Sequence, residues 1–290
     1  MKEYCFGTLA VGKEYQSLAL LLAKDLEIYA PETKLVIVTN NPKYFNKQCN
    51  VLAYKYQGNS VKIYNDKRLV IEKALSMYNT CIFLDADIRI GQKVPADLEF
   101  PPGILAFSCW SLFKFMNRKN DQPNIVNKEY WLRQEIITKV SNYWQINLEK
   151  SKFVQDFAFI ITKNEKYDHF IKTWEIIAGY LELKGIYAGA GFIIGLAAAH
   201  TGFAINYDYE KKIKFFKDRL TLEKIRKEQE VNEQELQFLE ERKSISYSHN
   251  IFVKINKKLK SKLVFWIRLL SLKITTLKYQ EIYRCFDSKG

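Results

Sequence analysis

The sequence predicts an α/β fold built on a mixed, mostly parallel sheet flanked by helices, and three observations lead there. Strand-like and helix-like segments alternate through the first hundred residues, the order expected of parallel strands with crossover helices. Cys81-Ile82-Phe83-Leu84 is a continuous apolar run of the kind found in strands buried on both faces. The chain's 290 residues are 48% hydrophobic and 27% charged, enough to fill a sizeable core, which excludes a disordered chain and a disulfide-stapled miniprotein.

Each element follows from local pattern. Tyr4 to Ala10 is a β-prone run, and Tyr15 to Tyr29 repeats apolar residues at helical spacing before Pro31 ends it. Lys34 to Thr39 reads as a second strand closed by Asn40-Asn41-Pro42, and Val51 to Tyr56 as a third. Leu69, Ile71, Ala74, Leu75 and Met77 restore helical spacing before the buried strand at Cys81. From Pro101 to Ile205, aromatic-rich strand segments such as Phe153 to Thr162 mix with helical ones around Tyr130 to Tyr143 and Tyr167 to Leu183. Gly189 to Ile205 is short of the roughly 20 apolar residues that cross a bilayer and reads as buried core. Asp208 to Lys243 alternates both signs of charge over a thin apolar stripe, the pattern of a solvated helical hairpin.

Charge and cysteine usage narrow the partners and the compartment. A formal net charge of +13 suits an acidic partner: a nucleotide, a nucleic acid or an anionic membrane surface. The five cysteines, Cys5, Cys49, Cys81, Cys109 and Cys285, are scattered and form no C-x-x-C pair, so the expectation is a reducing, cytoplasmic setting. Met1 to Gly7 carries no secretory signal pattern and reads directly as a strand, so the mature chain is expected to start at Met1.

The chemistry is expected at Asp85-Ala86-Asp87, directly after the buried strand. In extended backbone, residues two apart point to the same side, so both carboxylates could address one ion. Hard oxygen ligands suit Mg²⁺ or Mn²⁺ completed by phosphate oxygens; a structural turn is the competing use of two aspartates here. Ligands of such sheets bind at the carboxyl ends of the strands.

Lys67-Arg68-Leu69 through Ala74-Leu75 and then Cys81 to Ile90 resemble the region around the Asp-x-Asp motif of nucleotide-sugar glycosyltransferases of the GT-A (Rossmann-like) fold, nearest in flavour to the retaining, galactosyltransferase-like group. Tyr187 to Ala198 is similar to the small-residue segment that lines the sugar or acceptor side of the cleft in such enzymes. The resemblance implies a transferase that moves a sugar from a nucleotide-sugar donor, expected to be a UDP-sugar, to a glycan or lipid-linked acceptor. It implies Mn²⁺ or Mg²⁺ held by Asp85 and Asp87, with His249 in Tyr247-Ser248-His249-Asn250 as a further ligand, although the Gly and Lys-Pro-Trp elements that usually follow are absent. Gly7, Thr8 and Ala10 would cradle the nucleoside with backbone groups, Ala86 would join the nucleotide contacts, and Arg68 would approach the donor. Asp156 is the candidate catalytic carboxylate because it interrupts an aromatic strand. On the residues alone Arg68 reads equally as a solvated helix cation beside Asp66, Gly7 and Thr8 as an ordinary strand end, and Asp156 as a solvent-facing edge-strand residue.

The expected organisation is a catalytic domain over 1–206, divided at 100 into nucleotide-binding and acceptor halves, a charged hairpin over 207–250, and a basic amphipathic helix over 251–290. In that last segment Phe252, Ile255, Leu259, Leu263, Trp266, Ile267, Leu270, Ile274 and Leu277 recur at helical spacing among ten Lys and Arg, the pattern of a helix lying on the inner face of an anionic membrane. Its rival is a helix packed on protein, since Tyr279 to Phe286 has the residues to dock. Two other functions compete: a nucleotidyltransferase, for which the glycine-rich phosphate loop is lacking, and a basic nucleic-acid-binding protein, for which no motif is found.

Overall fold

The computed structural model describes residues 3–58, 60–95, 98–117, 128–187, 189–207, 213–246 and 251–288. In chain order the elements are β1 (Tyr4–Ala10), α1 (Lys13–Tyr29), β2 (Leu35–Thr39), β3 (Val51–Lys55), α2 (Lys67–Leu75), β4 (Thr80–Leu84), β5 (Ile88–Ile90), β6 (Gly103–Ala106) and β7 (Cys109–Ser111). There follow α3 (Leu112–Met116), α4 (Lys128–Trp144), β8 (Lys152–Val154), β9 (Ala158–Thr162), α5 (Tyr167–Leu183), α6 (Ala190–Thr201) and β10 (Ile205–Tyr207). The chain closes with β11 (Phe215–Lys217), α7 (Asp218–Arg226), α8 (Glu233–Ser246), α9 (Ile251–Thr275) and α10 (Gln280–Ser288). The fold is α/β, with strand pairing mixed and mostly parallel. The chain divides into two compact units, 1–57 with 69–100 and 208–259, and 58–68 with 101–207 and 260–290.

In the first unit β1 pairs in parallel with β2 and β4, and β2 with β3. β2 and β4 are buried at every residue, which is why Leu35 to Val38 and Cys81 to Leu84 carry no polar alternation. Gly7 lies where β1 passes its neighbours: a Cβ there would come within 2.7 Å of Cys81 Sγ and 2.9 Å of Val70 Cγ1. α1 buries Leu18, Ala19, Leu22, Ala23 and Leu26, one helical face. It starts at Gly12, whose φ of 96° favours glycine and whose N–H donates to Asn40 Oδ1 at 2.7 Å; Gln16 Nε2 donates to the same oxygen at 3.0 Å. The loops after β1 and β2 are thereby tied together at the strands' carboxyl ends.

The second unit has β6 between β10, parallel, and β9, antiparallel, and a separate β7–β8 antiparallel pair. α6 is the small-residue segment read from sequence as core, and Ala190 to Ala198 are buried throughout. Its glycines let it lie against β8: a Cβ on Gly191 would sit 2.1 Å from Val154 O, and one on Gly195 2.0 Å from Lys152 O. Glu182, buried on α5, receives Val61 N–H at 2.8 Å and Asn65 Nδ2 at 2.9 Å, pinning the 61–65 segment. Burial pushes its carboxyl up to about 7, against the pull of those two donors.

Three sequence expectations change. The aromatic run Phe153 to Thr162 is two strands, β8 and β9, separated by a turn at Gln155 to Phe157. The charged 208–243 segment does contain the packed helix pair α7–α8, but it also forms β11, which pairs antiparallel with β5. The C-terminal segment is not one helix: α9 ends at Thr275, and α10 turns back, with Phe286 fully buried against the rings of Tyr143, Trp144 and Tyr180.

Candidate active site

Asp85 and Asp87 follow β4, yet not in extended backbone. Ile88 N–H donates to Asp85 O at 3.0 Å, closing a tight turn with Ala86 and Asp87 at its centre, and β5 begins at once. Alternation along a strand is therefore not what brings the carboxylates together. They converge because the turn reverses the chain around a cation: Lys217 Nζ lies 2.9 Å from Asp85 Oδ2 and 3.2 Å from Asp87 Oδ1. Ala86 between them is buried.

The lysine arrives by main-chain pairing. Lys217 is opposite Ile88 in the β11–β5 register, one residue from Asp87, so the ladder sets its side chain beside the turn. A second cation joins from α8: Arg242 Nη1 is 3.4 Å from Asp87 Oδ2, and Arg242 Nε is 2.5 Å from Asp218 Oδ2. Burial raises the Asp218 carboxyl, against the opposing pull of Arg242. Five ionised groups thus share the end of β4, and three of the four elements involved, β11, α7 and α8, come from the segment read as solvent-facing. Lys217 and Arg242 were missed because they sit in a charge-rich stretch where nothing local separates a buried lysine from an exposed one.

A further ion pair braces this turn from behind. Arg89, inside the quoted motif, donates from Nε at 2.6 Å and Nη2 at 2.7 Å to the two Asp25 oxygens on α1. Its Nη1 reaches Glu241 at 2.5 Å, and its guanidinium lies 4.1 Å over the Phe238 ring. Asp25 also accepts Ile90 N–H at 3.1 Å. Burial raises Asp25 against the guanidinium's pull. Glu241 and Arg242 are adjacent on α8, so one helix secures both Arg89 and the Asp87 cluster.

The remaining candidates fall as follows. Gly7 is required by close packing, Thr8 and Ala10 are buried, and Thr8 Oγ1 has no hydrogen-bond partner among the described residues. At the carboxyl ends of β2 and β3, Val38, Tyr54, Lys55, Leu69 and Lys73 line a pocket of about 310 Å³, with Lys73 Nζ 4.1 Å over the Tyr54 ring. In the second unit Arg68, at the start of α2, is half-buried. Burial pushes Glu175 up, but the charges of Arg68, Lys172 and Lys278 outweigh it and leave that carboxyl below its ordinary range. Asp66, which the rival reading of Arg68 as a solvated cation set beside it, is buried and accepts Ser60 Oγ at 2.7 Å. Asp156 is in the β8–β9 turn rather than within a strand, and Lys67 Nζ binds both its carboxylate and its carbonyl oxygen at 2.9 Å. His249 lies outside the described residues. His200 stacks on Trp144 with 4.1 Å between ring centroids, and His169 is exposed on α5.

Among the described residues no three His, Cys, Asp or Glu side chains are grouped to hold a metal ion. The arrangement at Asp85 and Asp87 is a carboxylate pair around an ammonium, electrically close to balanced and placed where parallel strands present their carboxyl ends.

No protein-family model matches the chain, and no curated protein does. Among solved structures it is similar to the galactosyltransferase LgtC in complex with donor and acceptor sugar analogues, at a TM-score of 0.42 and 12% identity over 70% of this chain and 72% of that one. An active-site variant of LgtC gives 0.42 and 11% over 70% and 71%. The bifunctional glycosyltransferase WbbM gives 0.42 and 9% over 71% of this chain and 38% of that one. At that level of likeness no residue of theirs is carried onto this chain.

Proposed function

We propose that the protein is a glycosyltransferase of GT-A type, moving a sugar from a nucleotide-sugar donor to a glycan or glycolipid acceptor. The observation that carries the reading is the convergence of Asp85 and Asp87 on one cation at the end of a buried parallel strand. On this reading 1–206 is the catalytic part, 207–250 the segment returning to its site, and 251–290 a basic extension. A donor leaves as a nucleoside diphosphate, and the barrier falls when fixed positive charge meets the charge that develops there. Asp85 and Asp87 hold the Lys217 ammonium in place, and Asp87 with Asp218 holds the Arg242 guanidinium; these are the fixed cations the turn offers. The resemblance would give Gly7, Thr8 and Ala10 a backbone role toward the nucleoside, Arg68 a role toward the donor, and Asp156 that of proton acceptor.

A divalent ion of the kind the resemblance implies would neutralise the leaving diphosphate directly. The described side chains do not fit one as they stand: two carboxylates are offered, and both are engaged by Lys217. No step is routed through such an ion.

Peripheral attachment to an anionic membrane through α9 belongs to the same proposal. Leu263, Trp266, Ile267, Leu270, Ile274 and Leu277 make an exposed row at helical spacing, each 58 to 65% exposed, beside exposed Lys262, Lys273 and Lys278. Among the described residues no helix is long and apolar enough to cross a membrane.

The test is release of UDP, GDP or CMP from sugar donors, set against pyrophosphate release from nucleoside triphosphates with sugar phosphates. Nucleoside diphosphate release that requires Asp87 supports the transferase. Pyrophosphate release alone replaces it with a nucleotidyltransferase.

A further inference from the structure

We propose that Lys217 is the resident counter-ion of the Asp85–Asp87 pair, and that its ammonium excludes a divalent cation from the position between the two carboxylates. This names the cation of the site proposed above and rests on that reading only for its consequence in turnover.

Three observations carry it. The ammonium contacts one oxygen of each carboxylate, at 2.9 and 3.2 Å, so it stands where an ion bridging the pair would have to stand. The lysine is not a mobile surface residue. Its side chain is 11% exposed, its backbone is paired with Ile88 of β5, and α7 begins immediately after it, so the main chain on both sides is fixed. The charge is also largely met: Lys217 and Arg242 bring two positive charges to the three carboxylates Asp85, Asp87 and Asp218.

A dication entering this seat would do more than displace a weak contact. It would leave a largely buried ammonium without its carboxylates, and a few ångströms from a like charge, where solvent screens little. Lys217 thus competes for the seat as a tethered ion already held in place by the main chain on both sides. The turn has the residue types of a metal motif but a built-in monovalent occupant, so transfer draws on Lys217 and Arg242 for its positive charge.

Chelator-treated full-length protein titrated with Mn²⁺ alone, followed by loss of the free Mn²⁺ paramagnetic signal, gives a readout independent of any sugar chemistry. Wild-type protein is expected to show no saturable site below millimolar Mn²⁺. Lys217→Met removes the occupant and should create one site, tighter by about tenfold or more. Lys217→Arg retains a cation and should behave as wild type, and adding Asp87→Asn to Lys217→Met should abolish the gained site. Circular dichroism and thermal melting verify each fold, with Lys217→Gln in reserve. A single tight Mn²⁺ site in wild type that is lost in Asp87→Asn overturns the proposal, because the ammonium then swings aside. So does a folded Lys217→Met with no gain. If neither lysine variant folds, the wild-type titration decides alone. Should a transferase assay fail while the Mn²⁺ series behaves as stated, the functional reading falls and the counter-ion assignment stands.

Discussion

Asp25, which binds Arg89, and Asp87, two residues before that arginine, separate stability from chemistry. The Asp25–Arg89 pair is buried, with side chains 7% and 10% exposed. Asp25→Ala leaves a buried guanidinium with Glu241 as its remaining carboxylate partner in the cluster, and should cost about 3 kcal/mol in urea unfolding. Asp87→Asn takes one carboxylate from the largely buried Lys217 ammonium and from Arg242, and should lower the melting temperature less than Asp25→Ala does, while lowering donor turnover about a hundredfold. Equal turnover in Asp87→Asn and wild type would remove this turn from the mechanism. Glu182 makes a pH prediction. Its carboxyl titrates at about 7 folded against 4.5 as the ordinary value, so between those limits the folded chain holds a proton that the unfolded chain has lost. Its contribution is present below pH 4.5 and is lost as pH rises through 7, about 3 kcal/mol in all. Urea melts across that window should show stability falling with pH, and Glu182→Gln should flatten the fall. An unchanged slope in Glu182→Gln would assign it to another group.

At the scale of elements, α9 and α6 show opposite uses of apolar residues. α6 is apolar all round because it is enclosed, and Gly195 allows its backbone to meet Lys152 O. Gly195→Val should cost roughly 1–3 kcal/mol or more by overpacking, read by thermal melting of the full chain. α9 instead divides its surface: Leu272, and Thr276 just past its end, are buried, whereas Leu263, Trp266, Ile267 and Leu270 face solvent. The side chains of 251–261, including Phe252, Ile255 and Leu259, lie outside the described residues. Replacing Trp266, Ile267 and Leu270 with serine should leave the melt intact and abolish co-sedimentation with vesicles of acidic lipid. In wild type that co-sedimentation should weaken at high salt as charge is screened. Retained vesicle binding in the triple variant would place the lipid contact elsewhere or dismiss it.

For the whole molecule, a thermal-shift screen across nucleotide sugars, with and without Mn²⁺, should single out one donor, since ligand-linked stabilisation grows with ligand concentration over dissociation constant. The counter-ion assignment adds that the shift should not depend on Mn²⁺. What the sequence determined by itself is local and periodic. Continuous apolar runs became β2 and β4, helical spacing became α1, α2, α4 and α5, and glycines with small residues became the enclosed α6, because burial on both faces or on one stripe leaves its mark in adjacent residues. The position of the Asp-x-Asp pair was legible for the same reason, since two acids directly after a buried strand stand out in the sequence, but the expected extended backbone is a turn. Only tertiary structure decided what those acids touch. Lys217 lies 130 residues beyond Asp87 and reaches it through the β11–β5 ladder. Arg242 arrives on a helix whose charged sequence reads as solvent-facing. Whether a lysine is solvated or seated between two carboxylates depends on which distant backbone pairs beside it, and no window of sequence records that.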